Sequence, residues 1–400
     1  MKKKLTAAAA LLACVFAFAA CSSRVTVALN RNWQTNAGGG YETFYERLTY
    51  DVRFEAPDSS LPNAPSYANV SGTYTVTTES VASYRSESGF TANNVYRLTS
   101  VLEVSASILQ NGELVYAFGG DTGAPADTIT TSVWFRDALD GMTPLESTTT
   151  TYSHTPRKNG SIVIYSYTTK TVYNEDASRA TVTVTDNSDS IAETLPEENS
   201  RVFVGTFNAG ETSYSDLTDR YSVFDTAQLI FSARGLAFEA DSSNTVTVVS
   251  GAAGGQYVTL SCSEVVARNY SFTMDGQPLP DTGTGSGSEE GTDGEEGSEG
   301  EEETGTSIST CVVNFAVSGP NNGQTHTVDY AARSMNASNN RYRNLPMRIE
   351  MNLAYGMGAS LFVWRDRSPP PLPGKKKTTN NPLGGQKNCA ADFLLCFSAL

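Results

Sequence analysis

From Tyr41 to Trp364 this chain of 400 residues alternates apolar and polar side chains with a period of two almost throughout. Strands with one buried face carry that period, so it predicts a large antiparallel β structure. In Arg47–Glu55, Leu48, Tyr50, Val52 and Phe54 point one way, and Thr49, Asp51, Arg53 and Glu55 the other. Tyr96–Ile108 repeats the pattern with Leu98, Leu102, Val104, Ala106 and Ile108 inward, and the run ends at Asn111-Gly112. Both positions of that dipeptide tolerate positive φ, which closes a tight hairpin with Leu114–Phe118 returning. Further runs rich in Thr, Val and Tyr follow at 72–78, 129–136, 147–152, 161–173, 180–185, 201–207, 245–249, 257–266, 270–274, 311–317, 326–332 and 346–355. The exception is Asp225–Arg234, where Ala227, Ile230, Phe231 and Arg234 fall at helical spacing, with Asp225 as N-cap and Gly235 as C-cap. The expected fold is all-β: one large, curved antiparallel sheet, as a half-barrel or a two-sheet sandwich, with one short helix near 225–234.

Before this body the chain has three parts. Lys2, Lys3 and Lys4 give a positive start, Leu5–Phe18 is an uncharged apolar run, and small residues lead into Cys21. That is the pattern of a secretory signal, with an apolar core too short to remain as a membrane span. Phe18-Ala19-Ala20-Cys21 resembles the lipobox of bacterial lipoproteins. The resemblance implies a diacylglyceryl thioether on Cys21, removal of residues 1–20, and an acylated N-terminus that holds the mature chain on the membrane. Each buried CH₂ of an acyl chain contributes about 0.8 kcal/mol, so two or three chains make a durable anchor. Ser22 stands directly after Cys21; in a host with two membranes, the lack of Asp there resembles lipoproteins sent to the outer one. The expected location is therefore the extracytoplasmic face of a membrane. Residues 21–40, ending in Ala37-Gly38-Gly39-Gly40, read as a flexible tether, with a short extended piece at 25–29.

The net charge of −15 is unevenly placed. Ten acidic residues and no Lys or Arg lie between Asp281 and Glu303, so two thirds of that charge belongs to one tract. The remainder has no basic patch to neutralise phosphates, which argues against nucleic acid as a partner. The whole segment 276–307 is low complexity and cannot bury enough apolar surface to offset chain entropy. It is expected to be a disordered insertion inside a β domain spanning 41–364. After Trp364 come Pro369, Pro370, Pro371, Pro373 and then Lys375-Lys376-Lys377. Residues 365–400 are expected to be a disordered tail, and two readings are open: a functional basic tail, or a stretch outside the natural reading frame.

Chemistry is sparse. The two histidines, His154 and His326, sit in β contexts and outside any HExxH helix, and no Gly-x-Ser-x-Gly elbow opens a helix. Gly283–Gly287 lacks the Lys-Ser/Thr pair of a phosphate loop. Asp186, Asn187, Ser188 and Asp189, like Asp216 and Asp219, put oxygens in turns without the spacing of a calcium loop. The expectation is no catalytic residue, no metal and no cofactor. Six cysteines are too scattered for a disulfide-dense scaffold, but Cys262 and Cys311 flank the acidic insertion on two apolar strands. A disulfide between them and a pair of buried free thiols are both open. Met347, Ile349, Met351 and Leu353 stripe the last strand, and Trp134, Tyr165 and Tyr167 lie on others; these faces suit core packing or, on a concave sheet, an apolar ligand.

The succession Phe224–Arg234, then strands, then Leu345-Pro346-Met347-Arg348-Ile349-Glu350 resembles a family of exported bacterial β proteins of unassigned function. They are akin to the half-barrels that shuttle lipoproteins and lipids between membranes. That resemblance implies a strongly curved sheet with a short helix on its concave side, and a binding role without catalytic residues. The function expected is a lipid-anchored lipoprotein that binds an envelope component or apolar ligand. The alternatives are a surface structural or adhesive module on an acidic stalk and, less favoured, an envelope hydrolase.

Overall fold

The computed structural model describes residues 45–55, 65–138, 141–157, 159–192, 201–236, 238–250, 254–270, 273–274, 277–278, 306–318, 325–332, 344–352 and 358–362. The signal segment and Cys21, the tether, nearly all of the acidic insertion and the tail lie outside them. The first ten strands are β1 Tyr45–Glu55, β2 Ser66–Arg85, β3 Thr91–Gln110, β4 Glu113–Phe118, β5 Asp127–Ala138, β6 Gly141–Pro156, β7 Ile162–Tyr173, β8 Ala180–Asp186, β9 Val202–Val204 and β10 Gly210–Tyr214. There follow β11 Val223–Asp225, β12 Ser243–Ser250, β13 Gly254–Tyr270, β14 Thr273–Met274, β15 Gln277–Pro278, β16 Thr306–Ser318, β17 Thr325–Ala331, β18 Pro346–Asn352 and β19 Gly358–Phe362. A helical turn α1, Ser188–Ala192, helix α2, Thr226–Ser232, and two 3-10 turns, Gly120–Thr122 and Ala233–Gly235, complete the described elements.

Seventeen strands form one sheet; β14 and β15 pair only with each other. The pairings run β11, β12, β13, β16, β17, β18, β19, β1, β2, β3, β5, β6, β7, β8, β10, with β4 also on β3 and β9 also on β7. Of the two architectures left open, the single curled sheet is the one formed. It curls far enough that β11, at one end of this order, reaches β6 near the other: Ser147 Oγ donates to Asp225 Oδ2 at 2.6 Å.

Register sorts the side chains into two faces. One row across the strands reads Tyr50, Tyr74, Leu102, Ile129, Thr151 and Tyr167. The adjacent row reads Thr49, Thr75, Val101, Thr130, Thr150 and Thr168. In the first row Tyr50, Leu102, Ile129, Thr151 and Tyr167 are buried; in the second every residue is partly or fully exposed. Threonines of the outer row bond across strands, Thr49 to Thr75 at 3.3 Å and Thr150 to Thr168 at 3.1 Å. β-branched hydroxylic residues suit such a pleated, solvated surface.

Inside the curl sits α2. Asp225 caps its N-terminus, accepting from Ala227 N at 2.9 Å, as the sequence predicts. Its end differs: Gly235 does not serve as a left-handed C-cap, and the chain tightens into a 3-10 turn, Ala233–Gly235. Gln228 Nε2 donates to the Met142 carbonyl on β6 at 2.8 Å. Tyr330 Oη on β17 donates to the Ile230 carbonyl at 2.5 Å, and buried Arg234 pairs with Glu46 on β1. Phe231 meets Tyr50 and Tyr74, with ring centroids 6.5 and 6.4 Å away. One apolar cluster therefore joins Leu229, Ile230 and Phe231 to buried residues of β1, β2, β3, β5, β6, β12, β13, β16, β17 and β18. The concave side holds the helix that the resemblance implied.

Two departures from the expected pattern are specific. The sheet is not wholly antiparallel, because β11 runs parallel to β12 and β9 parallel to β7. The expected runs 257–266 and 270–274 also divide differently: β13 continues to Tyr270 across a register shift between Cys262 and Glu264, pairing with β16 from Tyr257↔Ser318 to Tyr270↔Thr306, and of the second run only Thr273–Met274 stands apart, as β14. The acidic insertion thus joins two paired strands of one hairpin.

Candidate functional site

Three buried polar groupings stand out. The first is centred on His154. Thr128 and Tyr152 pair across the β5–β6 hairpin, which sets Asp127 at the head of β5 beside His154. Asp127 Oδ1 accepts from the His154 backbone N–H at 2.9 Å and lies 2.6 Å from His154 Nδ1. Phe118 stacks on the imidazole at 4.6 Å, with Tyr116 at 5.3 Å and Tyr152 edge-on at 5.4 Å. β4 delivers Tyr116 and Phe118, and the chain then turns sharply at Gly119, φ 73°. A Cβ there would stand 2.1 Å from Ser105 Oγ on β3, so only glycine permits this approach.

Burial raises the Asp127 pKa, and its bond and charge contact with His154 oppose that shift. Burial likewise pushes the Tyr152 hydroxyl up to about 12, helped by Tyr116 and Asp127. Chemically the pair is a buried acid and a histidine joined through Nδ1, two of the three parts of a hydrolytic triad. The third part is missing: among the described residues His154 Nε2 has no hydrogen-bond partner, so no hydroxyl is placed to be activated. Sequence reading singled out His154 but not Asp127, which lies far away along the chain. The signal that could have found it is the β5–β6 register.

The second grouping closes the curl. Asp225 is buried and accepts from Ser147 Oγ at 2.6 Å, Tyr173 Oη at 2.7 Å and the helix N–H. Burial raises its pKa, while these three bonds pull the other way. Its role is to hold β6, β7 and α2 together. The third is Asp329, buried on β17, with Arg268 at 3.5 Å, Arg348 at 3.9 Å and Tyr270 Oη donating at 3.3 Å.

The remaining sequence candidates fall in packed or turn positions. His326 is buried on β17, and desolvation lowers its pKa to about 4. Cys262 and Cys311 are both buried, and their sulfurs are not bonded to each other in this structure. Asp186 accepts from the Ser188 backbone and hydroxyl and so shapes the turn into α1; Asp216 takes a positive φ of 62° in another turn. Among the described residues no three metal-ligating side chains cluster. Met347 and Ile349 are buried in the core, whereas Leu353 and the Met351 side chain lie outside the described set. Trp134 stacks on Tyr84 at 4.3 Å with the Arg97 guanidinium 5.5 Å from its ring, and Tyr167 stacks on Phe207 at 4.0 Å. Tyr165 receives a hydrogen bond from Arg157. These aromatics are committed to one another.

No protein-family model matches the chain, and no curated protein matches it. Among solved structures it is similar to the crystal structure of a beta-barrel-like protein, a domain of unknown function (DUF1849), from Brucella abortus. The TM-score is 0.35 and the identity 8%, over 80% of this chain and 98% of that one, a likeness too distant to carry function.

Proposed function

We propose that this chain is a membrane-anchored, extracytoplasmic lipoprotein, acylated at Cys21, whose β domain binds an envelope component at its outer face and performs no chemistry of its own. The observation that carries the reading is the occupied interior. Helix α2 is bonded to β6 and β17 across the concave side and the 3-10 turn after it to β1, and Leu229, Ile230 and Phe231 take the positions an apolar ligand would need. Recognition is then left to the outer rows, where exposed threonine hydroxyls stand in register and suit a polar partner. The signal segment and lipobox support the location.

The test is a pelleting assay with isolated, protein-stripped cell envelopes and the full chain carrying Cys21→Ala. The reading expects saturable retention of the folded protein, with most of it lost when Thr130, Thr150 and Thr168 are changed together to lysine. It also expects no lipid to co-purify with the Cys21→Ala protein, as read by mass spectrometry under native conditions. A tightly bound lipid, or no retention at all, would overturn it. A second reading, a surface structural or adhesive module, is favoured by the same polar rows and predicts retention by foreign surfaces instead.

A further inference from the structure

Cys262 and Cys311 are not directly opposed in the β13–β16 ladder. Cys262 faces Val313 and Cys311 faces Val265, so the two form a diagonal pair. In a regular antiparallel ladder such diagonal positions are about 7–8 Å apart, too far for a disulfide. Here the register slips between Cys262 and Glu264, inserting Ser263 as a bulge on β13. A bulge bends its strand and sharpens the local twist. The two thiols come near enough to bear on each other's ionisation, while Cys262 Sγ donates to the Glu264 carbonyl at 3.5 Å and Cys311 Sγ to that of Phe238 at 3.7 Å. Both side chains belong to the main apolar cluster. Burial raises both thiol pKa values, that of Cys311 to about 12, so neither is a nucleophile once the core has closed.

We propose that Cys262 and Cys311 form a disulfide as the β13–β16 hairpin folds, which ties the two strands together with five ladder pairs, Val266↔Thr310 to Tyr270↔Thr306, between the bridge and the end of the hairpin. The oxidant is a second disulfide, of a small thiol or of an oxidoreductase. A thiolate of the pair attacks it and releases one thiol; the other cysteine attacks the mixed disulfide and releases the second. One bridge is gained and one disulfide is reduced to two thiols. The inference goes beyond the binding role proposed above and does not depend on the lipid at Cys21.

The full chain, refolded in mixed oxidised and reduced glutathione, is trapped with N-ethylmaleimide and digested with trypsin without reduction. The sequence places Cys262 in peptide 235–268 and Cys311 in peptide 269–333. The expected product is these two peptides linked to each other, and a melting temperature that falls on reduction in the parent but not in Cys262→Ala/Cys311→Ala. Maleimide on both cysteines, or either one linked to Cys389 or Cys396, would overturn the proposal.

Discussion

His326 sits opposite Phe315 in the β16–β17 ladder, and burial there holds its imidazole near pKa 4, against an ordinary 6.5. Between those values the unfolded chain binds a proton that the folded chain refuses, so stability is complete above pH 6.5 and drains away as pH falls toward 4. A difference of that size corresponds to about 3 kcal/mol. His326→Gln removes the term: urea unfolding at pH 7 and at pH 4.5 should show a clearly smaller acid loss in the variant, and equal losses would refute it. The Asp127–His154 pair behaves differently. His154→Ala leaves the buried Asp127 carboxyl without its imidazole partner, a cost of about 1–3 kcal/mol. The double variant Asp127→Asn/His154→Gln should cost less than the two single changes added together, as a double-mutant cycle by urea unfolding would read. His154 is visible in the sequence as a histidine near a turn, but nothing local marks its carboxylate. Partners set by strand register become legible only once the hairpin is placed.

At the level of elements, the clearest case is the start of α2. Asp225 ends β11, caps the helix and accepts the hydroxyls of Ser147 and Tyr173. Loss of a cap costs about 1 kcal/mol, and a buried hydroxyl without an acceptor about 1–3 kcal/mol more. Asp225→Ala should therefore destabilise far more than Asp225→Asn, which keeps an oxygen for the cap; equal melting temperatures would contradict this. The cap was readable because Asp precedes a helical spacing of apolar residues, and the hairpin because Asn111 and Gly112 both take positive φ, 53° and 82°. Other elements were not readable. β10 is Gly-Glu-Thr-Ser-Tyr, almost wholly exposed, with no buried face to write a period. β11 has three buried residues, too few to alternate, and its parallel partner is fixed by tertiary docking. β19 begins at Gly358, in a stretch where glycine masks the pattern.

For the whole molecule, one sheet curls around its own helix, and the alternation of Tyr50 with Thr49, or of Leu102 with Val101, states which face is inside. What alternation does not state is the degree of curl or what fills it, since both depend on where α2 docks. Because residues 279–305 connect β15 to β16, replacing 279–305 with a short turn should leave the fold intact and raise stability by roughly 1–2 kcal/mol through loop closure. Circular dichroism and urea unfolding check that, and an unfolded variant would contradict it. The lipid tether proposed at Cys21 would decide where all of this operates. Growing the host with radiolabelled palmitate and recovering the protein tests it most directly. The account predicts label on the parent, and an unlabelled protein released from the membrane when Cys21→Ala is made; an unlabelled parent, or label that persists in the variant, would contradict it.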